Sequence, residues 1–340
     1  MITAELNDIS KKYGEVNALK GVSLDIHTGE LLSILGSSGC GKSTLLYSIA
    51  GLEKPDSGNI SLNNRVLFSA HSRTFVPPEK RNIGLVFQNY ALWPHMNIFK
   101  NVAYPLQIRK VKKTIIKKEV LQILDMVGLS GKEKNYPHEL SGGEQQRAAV
   151  ARGLIMKPDM LLLDEPFSNL DAKLREKMQD ELKRIQKLTK LTMIHVTHDQ
   201  EEAMRISDRI AIMNNGKLLQ IGEPSEIYDR PEDVFVAGFV GKSNLISYES
   251  IKCYLPRNVI NRGEKKQKGD TILVRPEDIL ITEAKNNAIN GVITNKFNKG
   301  SVYLYNIKTN VHEFVIQTDN RCDYPINSNV NIKIKKGCVI

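Results

Sequence analysis

The nine residues Gly36-Ser37-Ser38-Gly39-Cys40-Gly41-Lys42-Ser43-Thr44 limit the fold of this chain more tightly than any other stretch. They match G-x-x-x-x-G-K-[ST], follow the apolar run Leu31-Leu32-Ser33-Ile34-Leu35, and lead into a helical pattern from Thr44. In that strand–loop–helix context the glycines let backbone N–H groups turn inward around phosphate, and the helix N-terminus adds a positive dipole end. Lys42 then reaches the β- and γ-phosphates of a nucleotide, and Ser43 ligates Mg²⁺.

Buried strands alternating with helices are the expected surroundings of such a loop. Candidate strands are Leu31–Leu35, Ile83–Phe87, Met160–Leu163 and Met193–Val196; helical patterns run from Ile115 to Val127 and from Ala172 to Leu188. The alternation predicts a largely parallel α/β core. Asn214-Asn215-Gly216 between Ile210–Met213 and Lys217–Ile221 predicts a hairpin. From about Phe235 helical periodicity fades into short β-rich runs, including Thr271–Val274, Val302–Ile307 and Glu313–Thr318. The chain therefore divides into an α/β P-loop domain over 1–238 and a small all-β, barrel-like domain over 239–340.

Two further motifs carry chemistry. Leu161-Leu162-Leu163-Asp164-Glu165 ends an apolar strand in two carboxylates. Asp164 is placed to hold Mg²⁺, directly or through water, and Glu165 to polarise an attacking water. Leu140-Ser141-Gly142-Gly143-Glu144-Gln145-Gln146-Arg147 contains an S-x-x-E capping box, so a helix starts at Ser141. The box alone accounts for Ser141 and Glu144. The paired Gly142 and Gly143 leave backbone N–H groups open at the positive end of that helix, a second anion site.

Residues Leu140–Arg147 resemble the signature motif of the ABC ATPases, and the other motifs of that family follow in order over roughly residues 3–240. The resemblance implies that Tyr13 stacks on adenine, that Gln88 senses Mg²⁺ and a transmembrane partner, that Ser168–Asp171 forms the D-loop, and that His198 contacts the γ-phosphate. It also implies a head-to-tail dimer in which the nucleotide lies between the Lys42 loop of one copy and Ser141, Gly142 and Gly143 of the second. ATP and Mg²⁺ are the implied ligands, with Glu165, His198 and Gln88 as the catalytic set. The segment Gln88–Met96, with Tyr90, Leu92, Trp93 and Met96, resembles the part of importer ATPases that receives a coupling helix.

Val274-Arg275-Pro276-Glu277-Asp278-Ile279 resembles the turn of the small OB/TOBE-like barrel appended to importer ATPases for sugars, polyamines and ferric iron. Val76–Arg81 and Ala91–Met96 resemble the ferric-iron and polyamine branches, with sugar the weaker match. The implied assembly is a peripheral subunit at the cytoplasmic face of the inner membrane. Its partners are a second copy and a polytopic permease, with an extracytoplasmic solute-binding protein acting indirectly. The alternative is a soluble ABC ATPase working on nucleic acid or ribosomes.

Charge bears on that choice. The formal net charge is +10, from 48 lysines and arginines against 38 acids. Much of the excess lies beyond residue 240, and the lysines read as scattered rather than gathered on a recognition helix. A basic surface near acidic lipid headgroups is thus favoured over nucleic acid, which is not expected as a partner. No run of about eighteen apolar residues occurs. The first residues lack the basic and apolar regions of a signal peptide, which predicts a cytosolic location. Cys40, Cys253, Cys322 and Cys338 have no metal-ligand spacing and are expected as free thiols.

Overall fold

The computed structural model describes residues 1–255, 270–283 and 288–340. Two compact units divide the chain, Met1–Pro224 and Ser225–Ile340.

The first unit opens with two long strands, β1 (Ile2–Tyr13) and β2 (Val16–His27), then β3 (Leu31–Gly36), the phosphate loop and α1 (Lys42–Ala50). Next come β4 (Ser57–Leu62), β5 (Arg65–Ser69), β6 (Thr74–Phe75) and β7 (Ile83–Val86). A helical stretch follows: α2 (Ile98–Ile108), α3 (Lys113–Met126) and α4 (Gly142–Leu154). The unit closes with β8 (Met160–Asp164), α5 (Ala172–Thr189), β9 (Thr192–Thr197), α6 (Gln200–Ile206), β10 (Arg209–Asn214) and β11 (Lys217–Gly222).

One sheet has the order β11-β10-β3-β9-β8-β7, with every pair parallel except the β10–β11 hairpin. Its three central strands, β3, β9 and β8, are buried at every residue, as strands covered on both faces must be. The helices pack against one face through Val102, Val120, Leu124, Leu163, Phe167 and Leu182. Sequence periodicity did not anticipate the second sheet, the antiparallel β2-β1-β4-β5-β6. Its strands present a broken alternation, because β1 carries register shifts between Leu6 and Ile9 and between Ile9 and Lys11. Those bulges blur the period of two on which the reading depended.

The second unit contains the short helices α7 (Pro224–Asp229), α8 (Val234–Phe239) and α9 (Tyr248–Ile251) and two antiparallel sheets. The smaller sheet joins β12 (Asn244–Ser247), β13 (Thr271–Val274) and β19 (Cys338–Val339). The larger has the order β14-β18-β15-β16-β17. Its members are β14 (Ile279–Thr282), β15 (Ile289–Asn298), β16 (Val302–Thr309), β17 (Glu313–Asp319) and β18 (Asn329–Ile334). Both contribute to one core of Ile272, Ile293, Tyr305, Phe314 and Ile332, as expected of a small β-barrel domain. Arg275, from the R-P-E-D turn, is buried there. Its guanidinium donates to the carbonyls of Tyr228 (2.7 Å), Ala237 (3.1 Å) and Lys242 (3.2 Å) and lies 4.0 Å over the Tyr228 ring. That turn is thus a structural clasp for the chain on either side of α8.

All four cysteines are free. Among the described residues no helix is long and apolar enough to cross a membrane.

Candidate nucleotide site

Parallel strands send all their carboxyl ends to one edge of the sheet, and the motifs far apart in sequence converge there. The phosphate loop follows β3, Gln88 lies just after β7, Glu165 after β8, and His198 after β9. At Gly41 the backbone has φ of 107°, and a Cβ there would lie 2.4 Å from the Ala18 carbonyl oxygen. Only glycine closes the loop that tightly against β2.

A cavity of ≈ 520 Å³ lies over this edge, walled by Tyr13, Gly39, Lys42, Thr44, Glu165 and the hairpin turn at Gly216. Ser38, Gly41 and Ser43 also line it. Gly36 and Ser37 face the lysine from below: the buried Lys42 ammonium donates to their carbonyls at 2.8 and 2.9 Å. Cys40 is packed into the core, and its thiol pKa is pushed up by burial. Tyr13 is 43% exposed at the cavity rim, with the Lys11 ammonium 5.1 Å from its ring centroid.

The carboxylates form two separate arrangements. Buried Asp164 accepts a hydrogen bond from Ser43 Oγ at 3.0 Å and another from the Tyr47 hydroxyl at 2.6 Å. Burial and the Asp164 carboxylate together push the Tyr47 hydroxyl well above its ordinary pKa, so it stays a donor. Glu165 sits between two strand ends: Gln88 Nε2 donates to one carboxylate oxygen at 3.4 Å, and His198 Nδ1 is 3.1 Å from the other. Its backbone has φ of 43°, a conformation that a non-glycine residue adopts at a cost of about 1–3 kcal/mol. The main chain fixes that strain. The Glu165 N–H donates to Val196 on β9 at 3.0 Å, and the Glu165 carbonyl accepts from the Ser168 N–H and hydroxyl. Asn169 Nδ2 donates to the Gln88 carbonyl at 3.2 Å, joining the loops after β7 and β8.

Ser141 lies outside this cavity and caps α4, as the sequence predicts. Its N–H donates to Glu144 Oε2 at 2.9 Å, and its hydroxyl accepts from the Glu144 N–H at 3.4 Å. The Ser141 N–H, with Lys132 nearby, holds the Glu144 carboxyl below the usual range. Ser141 is exposed, whereas Gly143 is buried: a Cβ there would approach Leu174 Cδ1 to 3.0 Å. Close packing on α5 therefore accounts for the second glycine of the pair.

Sequence reasoning missed Tyr47, although it lies four residues after Ser43 on α1, the spacing that stacks side chains on one helix face. It also missed Asn17, Ala18, Lys20, Asn215 and Gly216, which wall the cavity. No local pattern marks them, because the strands that bring them there belong to two different sheets.

A second concavity of ≈ 600 Å³ lies on the same unit, lined by Phe87, Ala91, Trp93, Ile108, Arg109 and Met156 among others. Trp93 packs on Tyr104, with ring centroids 4.5 Å apart, and under the Arg152 guanidinium at 4.8 Å. Arg152 donates to the carbonyls of Tyr90 and Ala91, both of which have positive φ. Within the segment Gln88–Met96, Tyr90 is buried, Leu92 packs on the core, and Trp93 and Met96 stay partly exposed.

The ABC transporter family profile matches residues 19–168, from β2 through the D-loop serine. The spermidine/putrescine import ATP-binding protein PotA of Mycoplasma capricolum is 43% identical, over 98% of this chain and 96% of its own length. The chain belongs to the ABC transporter ATPase family. The corresponding protein of Clostridium acetobutylicum is 44% identical over 89% of the chain and 86% of its own. Among solved structures, cbiO1 from Clostridium perfringens, part of the cbiONQ transporter complex, superposes with a TM-score of 0.61 at 30% identity. It covers 66% of this chain and 90% of cbiO1. The dimeric ATP-binding cassette MJ0796, solved with ADP and Pi, gives 0.56 at 33% identity over 65% of this chain and 98% of its own. This ABC ATPase binds ATP and couples its hydrolysis to transport. Because the first two relatives also align through the second unit, it groups with the importer-type members of the family.

Proposed function

We propose that the chain energises polyamine import: two copies close around ATP at the cytoplasmic face of the membrane and drive a separate permease. The single observation that carries the substrate class is the 43% identity, over nearly the whole of both chains, to a protein named for spermidine and putrescine import. Ferric iron, expected from the sequence beside polyamines, is thereby replaced as the leading substrate. A soluble ATPase acting on nucleic acid is not favoured, since the cited full-length relatives are import subunits.

The chemistry follows from the cavity edge. Lys42 and the loop N–H groups bind the β- and γ-phosphates, and Tyr13 stacks on the base at the rim. A water in line with the γ-phosphate attacks phosphorus, the bond to the β-phosphate oxygen breaks, and ADP leaves with inorganic phosphate. Glu165 takes the proton that water gives up, with Gln88 and His198 holding its two oxygens. Spending backbone strain on Glu165 is consistent with that task, because a relaxed strand end would aim the carboxylate elsewhere.

Mg²⁺ fits the donors present. Ser43 Oγ and Asp164, 3.0 Å apart, are adjacent hard oxygen donors that would hold the ion, with the Gln88 side-chain oxygen as a further donor. The ion would supply charge neutralisation of the phosphates. Ser141, Gly142 and Gly143, outside the cavity of their own copy, serve the nucleotide of the second copy. The Trp93 concavity is the seat for a cytoplasmic helix of the permease, through which closing and opening reach the membrane. The solute meets an extracytoplasmic binding protein first, so this subunit never touches it.

The test is reconstitution with the cognate permease and binding protein in proteoliposomes carrying ATP inside. Labelled putrescine should accumulate and ferric citrate should not. Glu165→Gln should cut ATP turnover by about a hundredfold or more while retaining ATP binding. Near-normal turnover would remove Glu165 from the role, and ATP-dependent iron uptake without polyamine uptake would overturn the substrate class.

A further inference from the structure

The cations of this chain are not evenly spread. Residues 80–118 contain nine lysines and arginines and not one aspartate or glutamate. Six of the nine, Arg109, Lys110, Lys112, Lys113, Lys117 and Lys118, occupy the turn between α2 and α3 and the first turns of α3. The scattered reading of the sequence missed this because it looked for a recognition helix rather than for an absence of acids.

All six side chains are exposed, and none of them is paired with a carboxylate among the described residues. Glu119, the first acid after the run, is engaged by Lys157 at 3.1 Å. The arrangement works against local stability. Lys112 is the N-cap of α3 with no side-chain cap bond, Lys113 follows, and the first turn has no acid. Cations there face the positive end of the helix dipole, where Asp or Glu would be favourable. Like charges at Lys113 and Lys117, four residues apart, add repulsion. A folding argument gives no reason to keep these residues.

Two large apolar side chains are set among the cations, Ile108 at 63% and Ile115 at 47% exposure. Ile108 and Arg109 also line the Trp93 concavity, so the basic turn borders the proposed permease seat and stands on the membrane-facing side of the unit. That placement rests on the function proposed above. Clustered cations with interleaved apolar groups are the pattern that holds a segment at an anionic bilayer surface. Five of the six are lysines, compact point charges suited to a diffuse, fluid layer of phosphates, whereas a fixed acidic partner favours the bidentate geometry of arginine.

We infer that the α2–α3 turn is a lipid-contact surface: its six cations bind the phosphate headgroups of anionic lipid beside the permease, and Ile108 and Ile115 enter the interface.

The experiment uses the full chain alone, sedimented with vesicles of about 30% phosphatidylglycerol in phosphatidylcholine, or of phosphatidylcholine only. Lys110, Lys112, Lys113, Lys117 and Lys118 are changed together to glutamine. A charge-matched control changes Lys242, Lys299, Lys308, Lys333 and Lys335 in the second unit, all exposed. Basal ATP turnover, unchanged in both variants, reports that they are folded. Wild type should partition onto the anionic vesicles at about 50 mM salt and release at about 300 mM. The turn variant should lose at least about tenfold in partition, and the control less than about twofold. Equal losses in both variants would mean that net charge alone acts, and would overturn the assignment. So would a turn variant that keeps lipid binding but loses capture of detergent-solubilised permease, which would make the partner an acidic protein segment. Because no permease is needed for sedimentation, a chain that fails to energise import yet shows the lysine-dependent partition sinks only the import reading. One that energises import without the partition sinks only the lipid surface.

Discussion

Replacing Arg81 by methionine should cost about 4 kcal/mol of stability. Arg81 is 1% exposed, yet it ends a loop whose surroundings, Val76–Arg81, read from sequence only as a family resemblance. Its Nε donates to the Val76 carbonyl at 2.7 Å, and Nη1 donates to the Ser48 and Ile49 carbonyls, both at 2.8 Å. Ser48 and Ile49 lie in the last turn of α1, where helix carbonyls have no partner of their own. Gly51 caps that helix, and a Cβ there would meet Arg81 Nε at 2.4 Å, so the guanidinium lies directly on the helix end.

A bond from a cation to a buried carbonyl is worth about 1.5–3 kcal/mol, so three give about 4.5–9 kcal/mol. Against this, burial pulls the guanidinium pKa down to about 10, a penalty of about 3 kcal/mol on the charged form. The remainder is about 2–6 kcal/mol. Methionine restores apolar contact but leaves the carbonyls of Val76 and Ile49 unpaired. Trp93, the only tryptophan, lies in the same unit and reports its unfolding. With a urea m-value of about 3 kcal/mol/M, the midpoint should fall by about 1 M or more. Arg81→Lys, keeping one charge but not the fork, should fall in between. A midpoint within about 0.2 M of wild type for the methionine variant would refute the clasp.

Two further outcomes are expected. His195 is fully buried beside Ser33 Oγ at 3.0 Å, and burial holds its pKa at about 3, well below its unfolded value. The unfolded chain therefore takes up the proton first, and stability falls as pH drops below about 6.5, by about 2 kcal/mol at pH 5. Glu202, pushed up by burial and 3.7 Å from the ring, acts in the opposite sense, so the comparison with His195→Gln, which keeps Glu202, isolates the histidine. Urea unfolding at pH 7.5 and 5.0 should show this loss in wild type and not in His195→Gln; equal slopes would contradict it. Tyr47→Phe removes a 2.6 Å bond to Asp164 and should raise the Mg²⁺ concentration for half-maximal ATP turnover severalfold with little change in kcat. A fall in kcat at saturating Mg²⁺ would place Tyr47 in the chemical step instead.

Much of the site was legible in the chain itself because its parts are local. Gly36–Thr44 carries its own strand, turn and helix start, Ser141 and Glu144 cap each other three residues apart, and Asp164 and Glu165 end one apolar run. Such features depend on spacing along the backbone, which the sequence states outright. The β10–β11 hairpin at Asn215-Gly216 was readable for the same reason.

What tertiary structure decided is everything that joins residues far apart. Parallel register placed Gln88 and His198 on opposite oxygens of Glu165, and the bond from Glu165 N–H to Val196 fixed the strained backbone that aims it. The antiparallel sheet built on bulged β1, the burial of Arg81 and Arg275 on distant carbonyls, and the placement of the acid-free cationic run beside Trp93 were decided only by the fold. A charged side chain reads as surface in any sequence. Whether it is buried on helix-end carbonyls, as Arg81 is, or left exposed without a carboxylate partner, as Lys110–Lys118 are, depends on which distant backbone groups the fold brings within reach.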